Sequence, residues 1–305
     1  MSSLPIKLRR SLVWANGNNF DKIKAVIESD ADAVVLDLED LCPAPEKDAA
    51  RAGAVKVFTE WDFKGKERIV RPNPLDTELG QKDIEALLPS VPDAIRLPKC
   101  ETPEYVLTLD NRLSEFERRN GLPQNRIEII LMLETPLGII NGYQMASCCE
   151  RVTGMGIGAG DLTNAMGVPR DLTPGSLQLL YAKQKMVMDA KAARVQVFDT
   201  TVICQPDKMD AMNAFIEEDT KVIKMMGFTG RSVSMLPHID IVNRVFAPTH
   251  EEETLARKIV RGYEEGLAAG LSEVFVDGNF VDPPIVENAE KVVALADCIA
   301  AKAGK

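Results

Sequence analysis

The chain has 305 residues, of which 45% are hydrophobic and 27% are charged, a composition typical of a soluble globular protein. Its 46 acidic residues outnumber 36 basic ones, which argues against a duplex nucleic-acid binder because such a protein needs a basic face. The only histidines are His238 and His250, so a three-histidine zinc site is excluded and a histidine base would be one of these two. We expect His238 to be a core or helix-start residue and His250 to be solvated.

The ends and the cysteines predict a cytoplasmic protein. Met1–Arg10 lacks the apolar core of a signal peptide, and no run approaches the roughly 18 apolar residues of a membrane span. We therefore expect neither a membrane nor a nucleic-acid partner. No cysteines form a C-x-x-C pair, so we expect ordinary cytosolic thiols rather than a metal cluster. The cysteines are Cys42, Cys100, Cys148, Cys149, Cys204 and Cys298.

Eight short apolar or β-branched runs recur along the chain, separated by longer stretches such as Asn19–Asp30 and Pro174–Ala193 with helical spacing. This alternation favours parallel strands with right-handed crossovers, and eight units predict an α/β fold of the (β/α)8 TIM-barrel type over residues 1–246. A doubly wound open sheet is the alternative, but no G-x-G-x-x-G follows the first run. The runs are Ser11–Ala15, Ala33–Leu38, Arg68–Arg71, Ala94–Leu97, Ile127–Leu133, Val152–Ile157, Val195–Val202 and Ser232–Leu236.

Residues 247–305 exceed what a barrel needs and predict a C-terminal helical and hairpin extension that acts as a lid or an oligomerisation arm. Thr249 is a candidate cap for the first helix, and Pro283-Pro284 is expected to break the chain after the hairpin. The predicted elements are a helix over Glu251–Ala269, a hairpin over Val274–Val281 and a terminal helix over Ile285–Ala301.

Polar residues follow most of the eight runs, where a barrel places its catalytic groups. Most are oxygen donors, accompanied by an arginine and a lysine, and none suits zinc or copper. The candidates are Asn16, Asp37, Glu39, Asp40, Arg71, Asn73, Lys99, Glu134, Asp161 and Asp199.

Glu134 ends the fifth run, and Asp161 follows the sixth. The two carboxylates are therefore expected at the ends of neighbouring strands. Two carboxylates without a nearby histidine suit Mg²⁺, with Mn²⁺ as the alternative, because these ions prefer oxygen ligands. A solvated glutamate at a strand end is the competing interpretation.

Arg71 is the last residue of the third run. Pro72 and Pro74, which follow it, are expected to stiffen the loop that presents the arginine. Such an arginine suits bidentate binding of a substrate carboxylate, although a rim salt bridge would give the same pattern. Asp37 and Glu39 alternate with an apolar residue and are expected to point toward the barrel axis. A solvated acidic loop is the alternative for this pair.

Seven short motifs, taken in order, resemble the citrate lyase β-subunit-like branch of the HpcH/HpaI aldolase family. Each is weak alone, but together they span nearly the whole chain. The motifs are Arg9-Arg10-Ser11, Leu36-Asp37-Leu38-Glu39-Asp40, Val70-Arg71-Pro72-Asn73-Pro74, Leu97-Pro98-Lys99, Leu133-Glu134-Thr135-Pro136-Leu137-Gly138, Gly158-Ala159-Gly160-Asp161-Leu162 and Val276-Asp277-Gly278 with Val281-Asp282.

The resemblance implies a TIM barrel with a C-terminal lid, assembled as a homotrimer or hexamer. It implies Mg²⁺ ligation by Glu134 and Asp161, and binding of the keto-acid carboxylate by Arg71. Asp282 would be a lid aspartate that reaches a neighbouring subunit's site and acts on an enolate or on water. The resemblance assigns support of the metal waters to Asp37, Glu39 and Asp40, and substrate contacts to Arg10 and Lys99. Asn73, just after the third run, is a further candidate substrate contact.

The implied activity is reversible carbon–carbon cleavage of a malyl-, β-methylmalyl- or citramalyl-coenzyme A thioester. Its products would be an acyl-coenzyme A and a 2-keto acid of the glyoxylate or pyruvate class. A thioesterase with the same site and a citryl thioester lyase subunit that needs an acyl-carrier partner are the alternatives. Ser234–Pro237 stands where relatives read Ile-His-Pro, which leaves the acyl carrier open.

Overall fold

The computed structural model of the chain describes residues 7–202 and 206–304; Cys204 lies outside them. The chain divides into two compact units, one of which is Arg9–Asn243, and the other contains the C-terminal segment from Arg244. No helix in residues 7–202 and 206–304 combines the length and apolarity needed to cross a membrane.

The first unit is a closed barrel of eight parallel strands, which confirms the predicted (β/α)8 architecture. Neighbouring strands pair in chain order, and the eighth pairs with the first to close the sheet. The strands are β1 (Ser11–Asn16), β2 (Ala33–Asp37), β3 (Glu67–Arg71), β4 (Ala94–Leu97), β5 (Glu128–Leu133), β6 (Val152–Ile157), β7 (Gln196–Asp199) and β8 (Gly230–Val233).

Helices follow the strands, and several begin where a polar side chain caps the first turn. The side chains of Asn19, Thr77, Thr102 and Thr135 each accept a backbone N–H at a helix start, which satisfies a donor that has no partner inside the helix. The helices are α1 (Phe20–Glu28), α2 (Lys47–Glu60), α3 (Glu78–Leu87), α4 (Pro103–Arg119), α5 (Pro136–Ile140), α6 (Gly142–Ala146), α7 (Ala159–Ala165), α8 (Leu180–Ala193), α9 (Met209–Met226) and α10 (His238–Phe246).

Alternate residues of the strands fill the barrel interior, because side chains on a strand point in turn to opposite faces. This packing gives the strand ends a rigid base, so polar side chains carried past it are held at the mouth. The interior cluster contains Leu12, Trp14, Ala33, Val35, Ile69, Ala94, Ile130, Met132 and Phe198.

The eighth strand begins two residues before the predicted run and ends at Val233. At Gly230 a Cβ would lie 1.9 Å from the Arg9 carbonyl oxygen, so only glycine allows the backbones to approach this closely. β7 ends at Asp199, three residues before the end of its predicted run. The predicted runs therefore located both strands but misjudged their ends.

The C-terminal unit contains α11 (His250–Ala268), the hairpin strands β9 (Val274–Val276) and β10 (Asn279–Val281), and α12 (Pro283–Ala303). Thr249 and Glu252 form a reciprocal capping box at the start of α11, which confirms the predicted cap. Pro283-Pro284 follow the hairpin, as predicted, but the terminal helix begins at these prolines, two residues before its predicted start at Ile285. These prolines form the first turn of α12, where their missing N–H groups are not needed.

Candidate active site

A cavity of about 230 Å³ opens where the strands of the barrel end. Its wall combines buried aromatic and apolar side chains with acids, arginines and hydroxyl groups, as in a binding site for a small polar molecule. The residues that line it include Trp14, Asp40, Arg71, Met132, Glu134, Asp161, Arg170, Thr200, Thr201, Ser232 and Ser234.

Arg71 lies at the centre of an acidic cluster. Its Nε and Nη2 atoms each donate to Asp37 at 2.7 Å, while Nη1 lies 2.8 Å from Glu39 and 3.1 Å from Asp40. The Cζ atom of Arg71 lies over the Trp14 ring, 4.7 Å from the ring centroid. Burial alone would lower the pKa of Arg71, but the neighbouring carboxylates, Asp37 foremost, raise it above the usual value. Arg71 is therefore a fixed cation at the cavity wall.

Asp37 and Glu39 are both buried, and both pair with the guanidinium of Arg71. Asp37 also accepts the backbone N–H groups of Glu39 and Leu41, so it fixes the loop that follows β2. Burial raises the pKa of Glu39 to about 7, although Arg71 opposes the shift. Glu39 is thus a carboxyl group able to exchange a proton near neutral pH.

The two predicted metal ligands, Glu134 and Asp161, come together around Lys99. The Lys99 ammonium contacts Asp161 and lies 3.6 Å from Glu134, whose Oε2 also accepts the Lys99 backbone N–H at 3.0 Å. Glu134 is only 2% exposed, and its Oε1 lies 3.8 Å from Nη1 of Arg71. One cation therefore already bridges the pair of carboxylates that the sequence singled out.

The charges in this part of the cavity do not balance. Within ion-pair distance, the carboxylates of Asp37, Glu39, Asp40, Glu134 and Asp161 have two cations among the described residues, Arg71 and Lys99. Among the described residues, no three acidic, histidine or cysteine side chains form a preassembled metal cluster. Two convergent carboxylates with surplus negative charge nevertheless fit Mg²⁺, which typically keeps waters and substrate oxygens as its other ligands.

Arg10 does not reach the cavity, contrary to the prediction that it contacts the substrate. It precedes β1 and therefore lies at the amino-terminal end of the barrel, where its Nε donates to Asp32 at 2.8 Å. The backbone N–H of Arg10 donates to the same carboxylate. At this end Arg9 also binds Glu67 with two hydrogen bonds, so both arginines stabilise the base of the barrel.

Asn73 is at the expected end of the barrel, but its side-chain amide is hydrogen-bonded to other residues of the protein. Its amide donates to Asp83 at 2.7 Å and to the Leu38 carbonyl at 2.9 Å, and its oxygen accepts from Lys47 at 2.8 Å. The predicted substrate contact is therefore replaced by a structural role, in which Asn73 joins the loops after β2 and β3.

Asp282 belongs to the C-terminal unit, where it caps α12 by accepting the Ile285 backbone N–H at 3.1 Å. Its predicted catalytic role stays a prediction. His238 is buried at the start of α10, as expected, and burial together with Arg231 lowers its pKa. His250 is exposed in the first turn of α11.

Glycines at every second position of β6 and just beyond it make room for large side chains inside the barrel. A Cβ would lie 2.6 Å from the Phe198 ring at Gly154, 2.4 Å from the Arg96 guanidinium at Gly156 and 2.4 Å from Cγ of Glu134 at Gly158. This role of the glycines was not predicted from the sequence. The period of two, matched to a strand, was the available signal.

Arg96 crosses the barrel interior below the acidic cluster. It is fully buried, its Nη1 and Nη2 make no hydrogen bond to any described residue, and its guanidinium lies 4.8 Å from the Trp14 ring centroid. Burial lowers the pKa of Arg96 to about 9, so it stays protonated at neutral pH. A buried cation with unused donors destabilises a fold, but this one contacts the cavity-lining residue Trp14 and adds positive potential there.

Replacing Arg96 with methionine is expected to stabilise the protein by about 1–3 kcal/mol, because it removes an unpaired buried charge and keeps an unbranched side chain in the space beside Gly156. Urea unfolding of the purified protein measures the change. Arg96→Lys retains a charge and should not gain stability. A loss of stability in Arg96→Met would contradict the interpretation that the guanidinium is uncompensated.

The closed barrel and the charged cavity at its strand ends place the chain in the class of (β/α)8-barrel enzymes. The chain belongs to the HpcH/HpaI aldolase/citrate lyase family, whose model matches residues 10–235.

Two of the matching relatives are named as a lyase or a lyase subunit. The citrate lyase subunit beta of Leuconostoc mesenteroides subsp. cremoris is 32% identical over 291 residues, covering 95% of this chain and 94% of that protein. The human mitochondrial citramalyl-CoA lyase is 28% identical, with 96% of this chain and 87% of that protein covered. These relatives indicate that the chain is a lyase.

A solved structure has the same fold. The protein CitE from Mycobacterium tuberculosis, in complex with magnesium, acetoacetate and coenzyme A, superposes with a TM-score of 0.71 at 23% identity. The superposition covers 95% of this chain and 98% of that one.

Proposed function

We propose that the protein catalyses reversible carbon–carbon cleavage of a 3-hydroxy-acyl-coenzyme A thioester that carries a carboxylate, giving a 2-keto acid and an acyl-coenzyme A. The observation that carries this proposal is the meeting of Glu134, Asp161, Lys99 and Arg71 at one cavity wall. The relatives act on citrate or citramalyl-coenzyme A by their names, and both substrates contain a hydroxyl beside a carboxylate.

Glu134 and Asp161 would hold Mg²⁺, with Mn²⁺ as the alternative, and the magnesium present in the CitE complex supports this choice. The ion would polarise the oxygens of the hydroxy acid and stabilise the charge that develops during cleavage. Lys99, which contacts both carboxylates, would keep the acidic wall from repelling an anionic substrate.

Arg71 would bind the substrate carboxylate through its Nη1 side. Its Nε and Nη2 atoms are held by the buried Asp37, so they orient the guanidinium rather than bind substrate. Asp40, in contrast, is 58% exposed and only 3.1 Å from Nη1, so a substrate carboxylate could replace it at little cost. This arrangement gives Arg71 a fixed position with one exchangeable partner.

Proton transfer would fall to two carboxyl groups. Glu39, with its pKa near 7, would accept the proton of the substrate hydroxyl as the carbon–carbon bond breaks. The bonding electron pair would move to the carbon beside the thioester carbonyl, and Asp282 would return a proton to that carbon. Asp282 would come from a neighbouring subunit of a trimer or hexamer, as the resemblance implies.

A turnover screen tests the proposal. Purified protein is incubated with malyl-, β-methylmalyl-, citramalyl- and citryl-coenzyme A, with Mg²⁺ or with a chelator, and keto acid and free thiol are measured in parallel. We expect keto acid and acyl-coenzyme A in equal amounts, and loss of both with the chelator.

Two other results would contradict the proposal. Release of free coenzyme A without keto acid would indicate a thioesterase. Turnover of a citryl group only when it is attached to an acyl-carrier protein would indicate a subunit that depends on a partner.

A further inference from the structure

A second arginine, Arg170, lines the same cavity as Arg71 but has a different environment. It lies in the loop between α7 and α8, is half-buried and donates to the Thr201 carbonyl oxygen. Arg71 lies within ion-pair distance of four carboxylates, those of Asp37, Glu39, Asp40 and Glu134, whereas in the described part of the chain no carboxylate lies within ion-pair distance of Arg170. Arg170 is therefore a cation at the cavity wall whose charge the protein itself does not neutralise.

Burial lowers the pKa of Arg170, because its charge loses hydration; Asp199 opposes the shift and Arg231 adds to it. A guanidinium remains charged at neutral pH in any case. A partly desolvated arginine without a counter-ion gains most from an anion that accepts two of its hydrogen bonds, and a carboxylate has the matching geometry.

A buried hydroxyl adds an independent observation. Ser232 lines the cavity from β8 and is only 4% exposed, yet its Oγ has no hydrogen-bond partner among residues 7–202 and 206–304. A buried polar atom without a partner costs free energy unless a ligand or water satisfies it. Thr200, Thr201 and Ser234 line the cavity as well, so hydroxyl-bearing residues accompany Arg170 along the wall.

The two arginines thus offer separate binding positions for anionic groups in one cavity. Arg71 stands among the acids that would hold the metal, and Arg170 stands with the hydroxyl-bearing residues. A substrate with a single carboxylate on its keto-acid fragment would satisfy Arg71, but it would leave Arg170 without a counter-ion and the Ser232 hydroxyl without a hydrogen bond. A fragment with two carboxylates would satisfy both.

We propose that Arg170 and Ser232 bind a second carboxylate of the substrate, so that the enzyme selects thioesters whose keto-acid fragment is a dicarboxylate. The proposal rests on the proposed function and refines it: a citryl thioester, which yields a dicarboxylic keto acid, is preferred over a citramalyl thioester, which yields a monocarboxylic one. The two substrates differ by this carboxylate and share the acyl carrier, so the carrier does not influence the comparison.

The test compares kcat/KM for citryl- and citramalyl-coenzyme A in the wild type, Arg170→Met and Arg170→Lys. We expect the wild type to prefer the citryl thioester by about 100-fold, since a site built for a polar group rejects an analogue that lacks it. Arg170→Met should lose this preference mainly through its citryl activity, and Arg170→Lys should keep part of it. Arg118→Met, at an exposed position of α4, is the matched control and should behave as the wild type.

Binding of the keto acids without turnover separates this proposal from the proposed function. Calorimetry with Mg²⁺ measures binding of oxaloacetate and of pyruvate to the wild type and to Arg170→Met. Selective loss of oxaloacetate binding supports the role of Arg170, even if neither thioester is cleaved and the proposed function fails. Equal losses for both thioesters, or equal binding of both keto acids by the wild type, would overturn the role of Arg170.

Discussion

Replacing Glu134 with glutamine is expected to lower metal-dependent turnover by about 1,000-fold or more. Glutamine has nearly the same shape, and its side-chain oxygen can still accept the Lys99 backbone N–H that Glu134 binds at 3.0 Å. The substitution removes only the negative charge that faces Lys99 and Arg71. Because the metal is proposed to bind through this charge, affinity for Mg²⁺ should fall together with turnover.

Three measurements check the expected result. Turnover is titrated with Mg²⁺, binding of Mg²⁺ is measured by calorimetry in the presence of a keto acid, and thermal unfolding reports the integrity of the fold. Glu115→Gln is the control, because Glu115 is an exposed residue of α4 whose side chain pairs with Arg119 on the same helix. Full turnover by Glu134→Gln at ordinary Mg²⁺ concentrations would exclude Glu134 as a metal ligand.

The sequence predicted the strands and much of the acidic site because both depend on local order along the chain. A buried strand carries the next polar residue to the barrel mouth, so Glu134 after β5 and Arg71 at the end of β3 could be placed from the pattern alone. The same rule places Arg10, which precedes β1, at the opposite end of the barrel. Its predicted substrate contact came from the resemblance and conflicts with this rule.

Other features depend on contacts that no local pattern contains. An asparagine such as Asn73 could bind a substrate, but its side chain donates to Asp83 and accepts from Lys47, which lie on two helices. Arg170 lies in a loop without helical or strand periodicity, so no sequence pattern predicted the direction of its side chain. Only the folded structure places Arg170 in the cavity wall, beside Thr201.

Replacing Gly158 with alanine is expected to lower turnover by about 100-fold, because it would displace Glu134 without changing any charged residue. The new Cβ would lie 2.4 Å from Cγ and 2.6 Å from Oε1 of Glu134. Gly158 has a φ of −98°, which alanine adopts readily, so backbone strain does not explain the effect. The side chain of Glu134 must therefore move away from Lys99 and Arg71, and we expect a stability loss of about 1–3 kcal/mol.

Gly160→Ala provides the matched control two residues away, because a Cβ there meets no atom within 4 Å. Gly160 lies in the first turn of α7, where alanine favours the helix, so this variant should keep full turnover and gain up to about 1 kcal/mol of stability. Steady-state kinetics and urea unfolding of both variants give the comparison. If Gly158→Ala instead retained the turnover of Gly160→Ala, the position of the Glu134 carboxylate would not limit the reaction. The tight packing of the glycines of β6 against the interior would then serve only the stability of the barrel.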